Sequence, residues 1–398
     1  MNVTPAMAQY YEIKNQYADS ILFFRMGDFY EMFEDDAKIA HKILGITLTT
    51  RNKNAENPIL LAGIPFHAKE KYLPQLIKSG YKVAIAEQVS DPKLKGIVQR
   101  EVVRVVTPGT LGLEGESYDN EELSQTIASL VEENGKYGLS VINLSDHSWK
   151  CSEFENLESC VSELYKLSPS EIILQKTLTQ REKIHELLSK KYRLNIYYFE
   201  FLENPYSFLT KRFGVKNLEG YGIENKKLAQ GASAQILSYI MSNQQSNLDF
   251  LQNLSYESYT GYMNLDEATI RSLDLIYNIA TQSQKHGTLF GVLDCTQTSM
   301  GKRQLKTEIL HPLQDIKEIQ QRQKFISAFT TDTILLDKVR TELNYISDLD
   351  AILSRLSLER SSPRDLLSLK KSLQAVRSVY HLIEASNNTV LKKLISYS

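Results

Sequence analysis

The first third of the chain alternates short apolar runs with amphipathic stretches. Residues 21–26 (ILFFRM) form an almost continuous apolar run that ends at Gly27, which predicts a strand buried on both faces. Asp28 is a suitable helix N-cap and Glu31 occupies the reciprocal capping-box position, so a helix is predicted from there to Leu44. Further strands are predicted at 46–49, 59–62, 82–87 and 101–107, with a second helix at 67–79 that Pro74 kinks or splits. This alternation predicts an α/β domain over residues 1–115.

The middle and last thirds differ in their apolar periodicity. A hairpin is predicted at residues 137–144 and 149–154, followed by a helix at 157–167, a strand at 171–174, a helix at 179–192 and a strand at 194–199. Toward the end of the chain, apolar residues recur every three or four positions, which predicts helices. The final helix begins with Ser362, Pro363 and Asp365 as a capping box and is predicted to continue to residues 394–395. We therefore predict a second α/β domain over 118–243 and a helical domain over 256–398.

The length and composition are typical of two to three globular domains, but charge is distributed unevenly along the chain. The 398 residues include 46 Lys and Arg against 48 Asp and Glu, a net charge of −2 that excludes a uniformly basic nucleic-acid-binding protein. Residues 1–36 nevertheless carry a net charge of −5 and residues 51–104 a net charge of +5. The basic segment either faces a polyanion or merely solvates a surface, and charge alone favours the second interpretation.

The sequence contains few signs of catalytic or metal-binding chemistry. Cys151, Cys160 and Cys295 are too few for a disulfide framework and lack zinc-site spacing, and no apolar run reaches the length of a membrane span, so we expect a cytosolic protein. The seven histidines are scattered singly, and the motifs GxxxxGK[ST], HExxH, GxSxG and GxGxxG do not occur. We therefore predict no catalytic residues, no metal ligands and no cofactor for this chain.

The most distinctive local feature is the run GDFYEMF at residues 27–33. In one interpretation, Phe29 belongs to the apolar face of the predicted helix, and the helix dipole favours the Glu31 carboxylate near the helix N-terminus. The other makes Phe29 a wedge that unstacks a base step from the minor groove. Taken without its surroundings, the pattern favours the structural interpretation.

The longer sequence context carries a family resemblance. MGDFYEMF at residues 26–33 resembles the mismatch-recognition motif of the MutS family of DNA mismatch repair proteins. Further stretches similar to this family follow in the family's order: AGIPFH at 62–67, AEQ at 86–88, VVTPGT at 105–110, NLD at 264–266, VLDCT at 292–296, MG at 300–301 and SPRDL at 362–366. The resemblance therefore extends over nearly the whole chain.

The resemblance implies a function and a set of site residues. It implies that Phe29 stacks on a mispaired or looped-out base, that Glu31 hydrogen-bonds this base and, by position only, that Arg51 contacts DNA. It also implies that 1–115 is an α/β mismatch-binding domain, 118–243 an α/β connector with a ribonuclease H-like topology and 256–398 the start of a mainly helical core and lever. The implied partners are double-stranded DNA with mismatches or small loops and a MutL-like repair protein bound through the connector.

Full-length members of the resembled family also contain a DNA clamp and an ATPase domain that uses ATP and Mg²⁺ and forms a homodimer. We expect the present chain to be truncated before both and to have no ATPase activity. Two alternatives stay open at this point. The chain could be a docking module of a repair complex with little DNA binding of its own. It could also be a nuclease, but the strand predicted to come first in the connector, at 138–144, bears Asn143 and has Asp146 only after its end.

Overall fold

The computed structural model describes residues 4–51, 58–89, 98–111, 126–144, 146–178, 181–191, 194–200, 202–243, 248, 251–357 and 361–396. The predicted junction between the first two domains, the predicted ends of the helix at 179–192, and Lys53, Lys93 and Lys95 of the basic segment lie outside these residues.

The first sheet has six strands in the order β3-β4-β2-β1-β5-β6, in which only β1 and β5 pair in parallel. Its elements are α1 (Pro5–Gln16), β1 (Ser20–Met26), β2 (Phe29–Phe33), α2 (Glu34–Leu44), β3 (Thr49–Arg51), β4 (Ile59–Pro65), α3 (Lys69–Lys78), β5 (Lys82–Gln88) and β6 (Arg100–Val106). Helices α2 and α3 pack on one face of the sheet and α1 packs on the other. The result is an α/β domain, as the sequence predicted, and its elements form three layers.

The segment after Gly27 is a strand, so the predicted helix from Asp28 is wrong in its first six residues. Tyr30 and Met32 enter the core below α2 and α3, whereas Phe33 enters the core below α1. This alternation has the period of a strand and suits an aromatic-rich segment. Helix α2 begins only at Glu34, where three acidic residues favour a helix N-terminus.

Two smaller predictions in this domain also change. Strand β3 begins at Thr49, because Ile46 and Leu48 pack against the core as irregular chain before it. Pro74 does not split its helix, since α3 is continuous from Lys69 to Lys78 and the core contacts of its apolar face hold it together.

The second sheet has the strand order β11-β10-β7-β8-β9-β12. The elements of this region are β7 (Thr126–Glu133), β8 (Lys136–Asn143), β9 (Trp149–Phe154), α4 (Leu157–Leu167), β10 (Glu171–Gln175), α5 (Arg181–Glu186), β11 (Asn195–Phe199), α6 (Pro205–Phe213), α7 (Lys227–Asn243) and β12 (Leu254–Tyr256). Sequence analysis missed β7, which is the first strand of this sheet and lies at its centre. It also missed β12, which pairs with β9 beyond the predicted domain end at 243.

The last region is helical, as predicted. It contains α8 (Glu267–Ser272), α9 (Leu289–Leu293), α10 (Ser299–Leu310), α11 (Ile316–Thr331), α12 (Thr333–Leu343), α13 (Leu349–Ser357), α14 (Pro363–Ala385) and α15 (Thr389–Ile395). The predicted capping box of Ser362 and Asp365 is confirmed. The predicted continuous final helix is wrong, because α14 ends at Ala385 and Asn388 caps a new helix through the amides of Val390 and Leu391.

Buried polar contacts join the three regions. Glu171 of β10 accepts a hydrogen bond of 3.0 Å from the Thr107 hydroxyl, which follows β6. His311, after α10, places its Nε2 2.9 Å from a carboxylate oxygen of Glu163 in α4. Within the described ranges, no helix is long and apolar enough to cross a membrane.

Candidate nucleic-acid interface

A tight hairpin turn presents Phe29 at one end of the first sheet. Met26 of β1 pairs with Phe29 of β2, so only Gly27 and Asp28 form the turn. Gly27 has a φ of 60°, in the left-handed region that glycine adopts without steric cost. The Asp28 carbonyl accepts a hydrogen bond of 2.9 Å from the Phe66 amide and so attaches the turn to the residue after β4. The first side chain after this turn is Phe29.

Phe29 is exposed in a strand whose other aromatic residues are buried. It retains 47% of its accessible surface, whereas Tyr30 retains 2% and Phe33 none. Residues 29, 31 and 33 share one face of β2 because side chains alternate along a strand. Phe33 on this face packs edge-on against Tyr10 of α1, with ring centres 4.7 Å apart. The face is therefore covered by α1 near Phe33 and open near Phe29, with Glu31 between them.

Two arginines from other strands surround the Glu31 carboxylate. Arg51 of β3 reaches across β4 and places its Nη1 3.4 Å from Glu31 Oε2, with both side chains partly buried. Burial raises the pKa of the Glu31 carboxyl group above its usual range, whereas the positive charges of Arg51 and Arg100 lower it. Arg100 also donates hydrogen bonds to the Arg25 carbonyl at 2.6 Å and to Gln9 Oε1 at 3.3 Å. Because these effects on the pKa oppose each other, a new charge near Glu31 would change the protonation of its carboxyl group.

The three residues singled out by sequence thus lie on one face of the sheet. Phe29 and Glu31 are two positions apart on β2, and Arg51 contacts Glu31. Sequence reasoning did not single out Arg100, which sits at the start of β6 opposite Gln88. The signal available in the sequence was weak, because Arg100 is one of several basic residues in its segment.

Gly63 of β4 keeps the space beside Phe29 and Glu31 open. It pairs with Glu31 across the β2–β4 ladder. A Cβ atom placed there would lie 3.4 Å from the Tyr30 carbonyl oxygen and 3.9 Å from both the Glu31 Cγ and the Phe29 Cδ1. A methyl group would just fit, but a larger side chain would contact both candidate site residues.

A polar network on the other face of β2 fixes the hairpin. The Tyr30 hydroxyl donates a hydrogen bond to the Glu87 carboxylate, which also lies 3.7 Å from a guanidinium nitrogen of Arg25. The same guanidinium stacks on Phe66 at 3.7 Å from the ring centre and donates through Nε to the Gly27 carbonyl at 2.5 Å. These contacts connect the turn to strands β4 and β5, so they hold the backbone of Phe29 in place.

The described basic residues of segment 51–104 do not share one face. Arg51 and Arg100 lie beside Glu31, whereas Lys71 and Lys78 lie on α3, which packs against the opposite face of the sheet. Lys82 pairs with Asp19 at 2.7 Å and lies 3.9 Å from the ring centre of Tyr197 in the second region. Only part of the predicted basic surface therefore adjoins Phe29.

The nuclease alternative depended on the first strand of the second sheet. That strand is β7, not the predicted segment at 138–144, and its carboxylates are Glu132 and Glu133 at its far end. Across the described part of the chain, no group of three or more His, Cys, Asp or Glu side chains is arranged to hold a metal ion.

Family models match three consecutive parts of the chain. The model described as MutS domain I matches residues 4–114, MutS domain II matches 125–253 and MutS domain III matches 268–396. Phe29, Glu31 and Arg51 all fall within the first match, as does the first sheet. The second match covers the second sheet except for β12, which follows it.

Curated relatives match over almost the full chain. The protein named DNA mismatch repair protein MutS from Lachnoclostridium phytofermentans is 36% identical over 98% of this chain. Proteins with the same name from Halothermothrix orenii and Methanococcoides burtonii are each 37% identical, over 98% and 95% of the chain. The chain spans only 42–44% of the length of these three relatives. The three consecutive domain matches and the level of identity show that the chain belongs to the MutS family.

Proposed function

We propose that this chain recognises mismatched DNA through the face of β2 that bears Phe29 and Glu31. Phe29 enters the minor groove and stacks on a mispaired or looped-out base, Glu31 hydrogen-bonds that base, and the duplex bends away from the inserted ring. Mispaired steps are easier to unstack and kink than paired ones, so this mode of binding reads deformability and not sequence.

One observation carries the proposal. Phe29 is a large apolar side chain held in solvent by a two-residue turn, although every other aromatic residue of its strand is buried. Exposure of a phenyl ring at a fixed position costs free energy that a stacking partner recovers. The neighbouring carboxylate repels phosphates unless it is protonated or hydrogen-bonded, which gives Glu31 a role in discrimination.

Attraction to the duplex comes from basic side chains near this face. Arg51 and Arg100 flank Glu31, and both provide positive charge that favours approach of the phosphate backbone. We assign residues 1–115 to mismatch binding, 118–243 to a connector that contacts a MutL-like repair protein, and 256–398 to the start of the core and lever. ATP hydrolysis with Mg²⁺ and homodimer formation belong, in this proposal, to a whole protein of the relatives' length acting in the cytosol.

Fluorescence anisotropy tests the role of Phe29. Labelled duplexes with one G·T mismatch, one unpaired T or no defect are titrated with the wild-type chain and with Phe29→Ala at several salt concentrations. Because stacking of a base on an aromatic ring is worth about 1–3 kcal/mol, we expect the preference for defective duplexes to fall about tenfold in the variant. Binding to the matched duplex should change little.

Tyr81→Ala is the matched control. Tyr81 is an exposed aromatic residue of the same domain, but it directly precedes β5, at the end of the sheet opposite the hairpin turn. Equal preference for defective DNA in wild type and Phe29→Ala, or equal losses in both variants, would show that Phe29 is not the stacking residue.

A further inference from the structure

The two arginines whose charges act on Glu31 differ in how many of their hydrogen-bond donors are already used. A guanidinium group has five N–H donors. Among the residues that the structure describes, the Arg51 guanidinium has one hydrogen-bond partner, the Glu31 carboxylate at 3.4 Å. The Arg100 guanidinium donates four hydrogen bonds to the protein. Arg100 therefore has at most one donor left for DNA, whereas Arg51 keeps most of its donors.

Three of the Arg100 partners belong to elements on different sides of its strand. Its Nε donates to the Arg25 carbonyl in β1 at 2.6 Å. Its Nη1 donates to the Val98 carbonyl, just before β6, at 2.9 Å and to the Gln9 side-chain oxygen in α1 at 3.3 Å. Arg100 thus connects β1, α1 and the start of β6, and its position depends on the packing of all three.

The fourth partner, Gln88 at the end of β5, connects Arg100 to the hairpin turn. With its amide oxygen directed toward the turn, Gln88 accepts hydrogen bonds of 3.3 Å from Arg100 Nη2 and from the Gly27 amide. Only this orientation of the amide satisfies both donors, because its nitrogen cannot accept a hydrogen bond.

Both backbone groups of Gly27 are therefore held by side chains that Arg100 or its neighbours fix. Gln88 binds the Gly27 amide, and the Arg25 guanidinium donates to the Gly27 carbonyl at 2.5 Å. Arg100 contacts both of these residues, through the Gln88 amide oxygen and the Arg25 backbone carbonyl. Since Phe29 follows Gly27 by two residues, the direction in which its ring points depends on this set of contacts.

Packing also restricts Arg100. Its guanidinium lies over the ring of Phe24, 5.0 Å from the ring centre, and the residue is half-buried. Burial lowers the pKa of the Arg100 guanidinium, and the negative charge of Glu31 raises it. A cation partly withdrawn from water in this way is stabilised by its hydrogen bonds, so these bonds are costly to exchange for new ones.

We infer that Arg100 is a positioning residue for Phe29, whereas the Arg51 guanidinium is the one that contacts DNA directly. The inference rests on the mismatch recognition proposed above, since the position of Phe29 matters for binding only if its ring stacks on a base. A turn held in one conformation lets the ring enter a defective step without first being ordered. Arg100 therefore raises the preference for defective DNA more than it raises general affinity.

Lysine substitutions test this difference in the whole 398-residue chain. Lysine keeps the positive charge, but its three donors share one nitrogen and cannot replace a planar guanidinium that reaches four acceptors. In anisotropy titrations with G·T and matched duplexes, Arg100→Lys should lower the preference for the mismatch about fivefold, since part of the stacking is lost. Binding to the matched duplex should change little. Arg51→Lys is the matched control and should keep a preference close to that of the wild type.

Salt dependence separates positioning from phosphate contact. Each phosphate contact that is lost lowers the slope of log K against log salt concentration by about 0.9. Matched-duplex titrations should show this decrease in Arg51→Gln. Arg100→Gln should show a much smaller decrease, although it loses mismatch preference as Arg100→Lys does.

Fluorine NMR gives a measurement that needs no DNA. 4-Fluorophenylalanine is incorporated at position 29, and the width of its resonance reports how far the ring is immobilised. The line should become narrower in Arg100→Lys, because the ring gains mobility, and should keep its width in Arg51→Lys. Gln88→Ala removes only the contact between Arg100 and the Gly27 amide, so it should narrow the line while the melting temperature stays close to that of the wild type.

Four results would overturn the inference. These are wild-type mismatch preference in Arg100→Lys, equal losses of preference in the two lysine variants, a full slope decrease in Arg100→Gln, and an unchanged fluorine line in both Arg100→Lys and Gln88→Ala. Failure of the proposed function is distinguishable, because it would appear as unchanged mismatch preference in Phe29→Ala. The fluorine measurement does not depend on that result.

Discussion

Arg51 holds its guanidinium 3.4 Å from the carboxylate of Glu31, although strand β4 runs between their two strands. Gly63 of β4, which pairs with Glu31, has no side chain in the space beside that carboxylate. Arg51 and Arg100 oppose the effect of burial on Glu31, so its charge depends on both arginines remaining near it. An approaching DNA phosphate adds negative charge to this balance and favours protonation of the carboxyl group.

Arg51→Ala should therefore shift the pH dependence of mismatch binding upward. Loss of the guanidinium raises the pKa of Glu31 further, so the carboxyl group stays protonated to higher pH. The protonated carboxyl group does not repel phosphates and can donate a hydrogen bond. Anisotropy titrations from pH 5.5 to 8.5 should show binding to a G·T duplex declining at a higher pH than in the wild type. Binding at every pH should also weaken, because one cation is lost.

Lys42→Ala separates these two effects. Lys42 is an exposed cation on α2 of the same domain, away from Glu31. Its removal should alter affinity slightly and leave the pH midpoint unchanged. If the pH midpoint of binding moved equally in Arg51→Ala and Lys42→Ala, net charge and not the Glu31–Arg51 pair would set the pH dependence.

Glu31→Gln should bind both matched and mismatched duplexes more tightly and distinguish them less well. The amide retains the shape of the carboxyl group and can hydrogen-bond a base, but it carries no charge to repel the backbone. Mismatch preference should also lose its pH dependence between pH 5.5 and 8.5. In the double variant, Arg51→Ala should no longer shift any midpoint, and a persistent shift would place the titrating group elsewhere.

Much of this arrangement could be predicted from the sequence, and the main error has a physical cause. The α/β alternation, the helix at Leu157–Leu167 and the capping box of Ser362 follow from local periodicity and cap chemistry. The sequence of residues 28–33 is compatible both with the capped start of a helix and with a strand of alternating burial. Pairing of β2 with β1 and β4 makes it a strand. Such pairing involves residues as far along the chain as Pro65, which local patterns do not reveal.

The polar partners of the site were harder to predict. Contact between Arg51 and Glu31 depends on the strand order β3-β4-β2, and proximity of Arg100 depends on β6 forming the far edge of the sheet. Tertiary topology, not propensity, determines both of these contacts. Strand β7 is a different case, because residues 127–131 form an apolar run of the kind that predicted β1 and the strand was missed all the same.

Gly63→Val should reduce mismatch preference while the domain stays folded. A Cβ atom at this position makes ordinary contacts, so Gly63→Ala should keep both stability and mismatch preference close to wild type. The branched methyl groups of valine would extend toward Phe29 and Glu31 and occupy space that a stacked base requires. Anisotropy measures preference, and urea unfolding measures stability for both variants. Loss of preference in Gly63→Ala as well, or a valine variant that behaves as the wild type, would contradict this account.

A second buried carboxylate, Glu171, lies between the first and second sheets. It is fully buried and accepts hydrogen bonds from the Thr107 hydroxyl and the Gly109 amide. Gly109 permits this approach, because a Cβ atom there would lie 2.9 Å from the Glu171 carboxyl carbon. Burial raises the pKa of Glu171 to about 7, although both hydrogen bonds act in the opposite direction.

This raised pKa predicts how stability should change with pH. Between the ordinary value near 4.5 and about 7, the folded state binds a proton that the unfolded state has lost, so rising pH reduces stability by up to about 1.4 kcal/mol per unit. The contribution is fully present below pH 4.5 and is lost by about pH 7 and above. Glu171→Gln cannot titrate, so the melting temperature of the wild type should fall relative to the variant across this window and run parallel to it above. A difference that stays constant from pH 4.5 to 8 would mean that Glu171 does not take up a proton on folding.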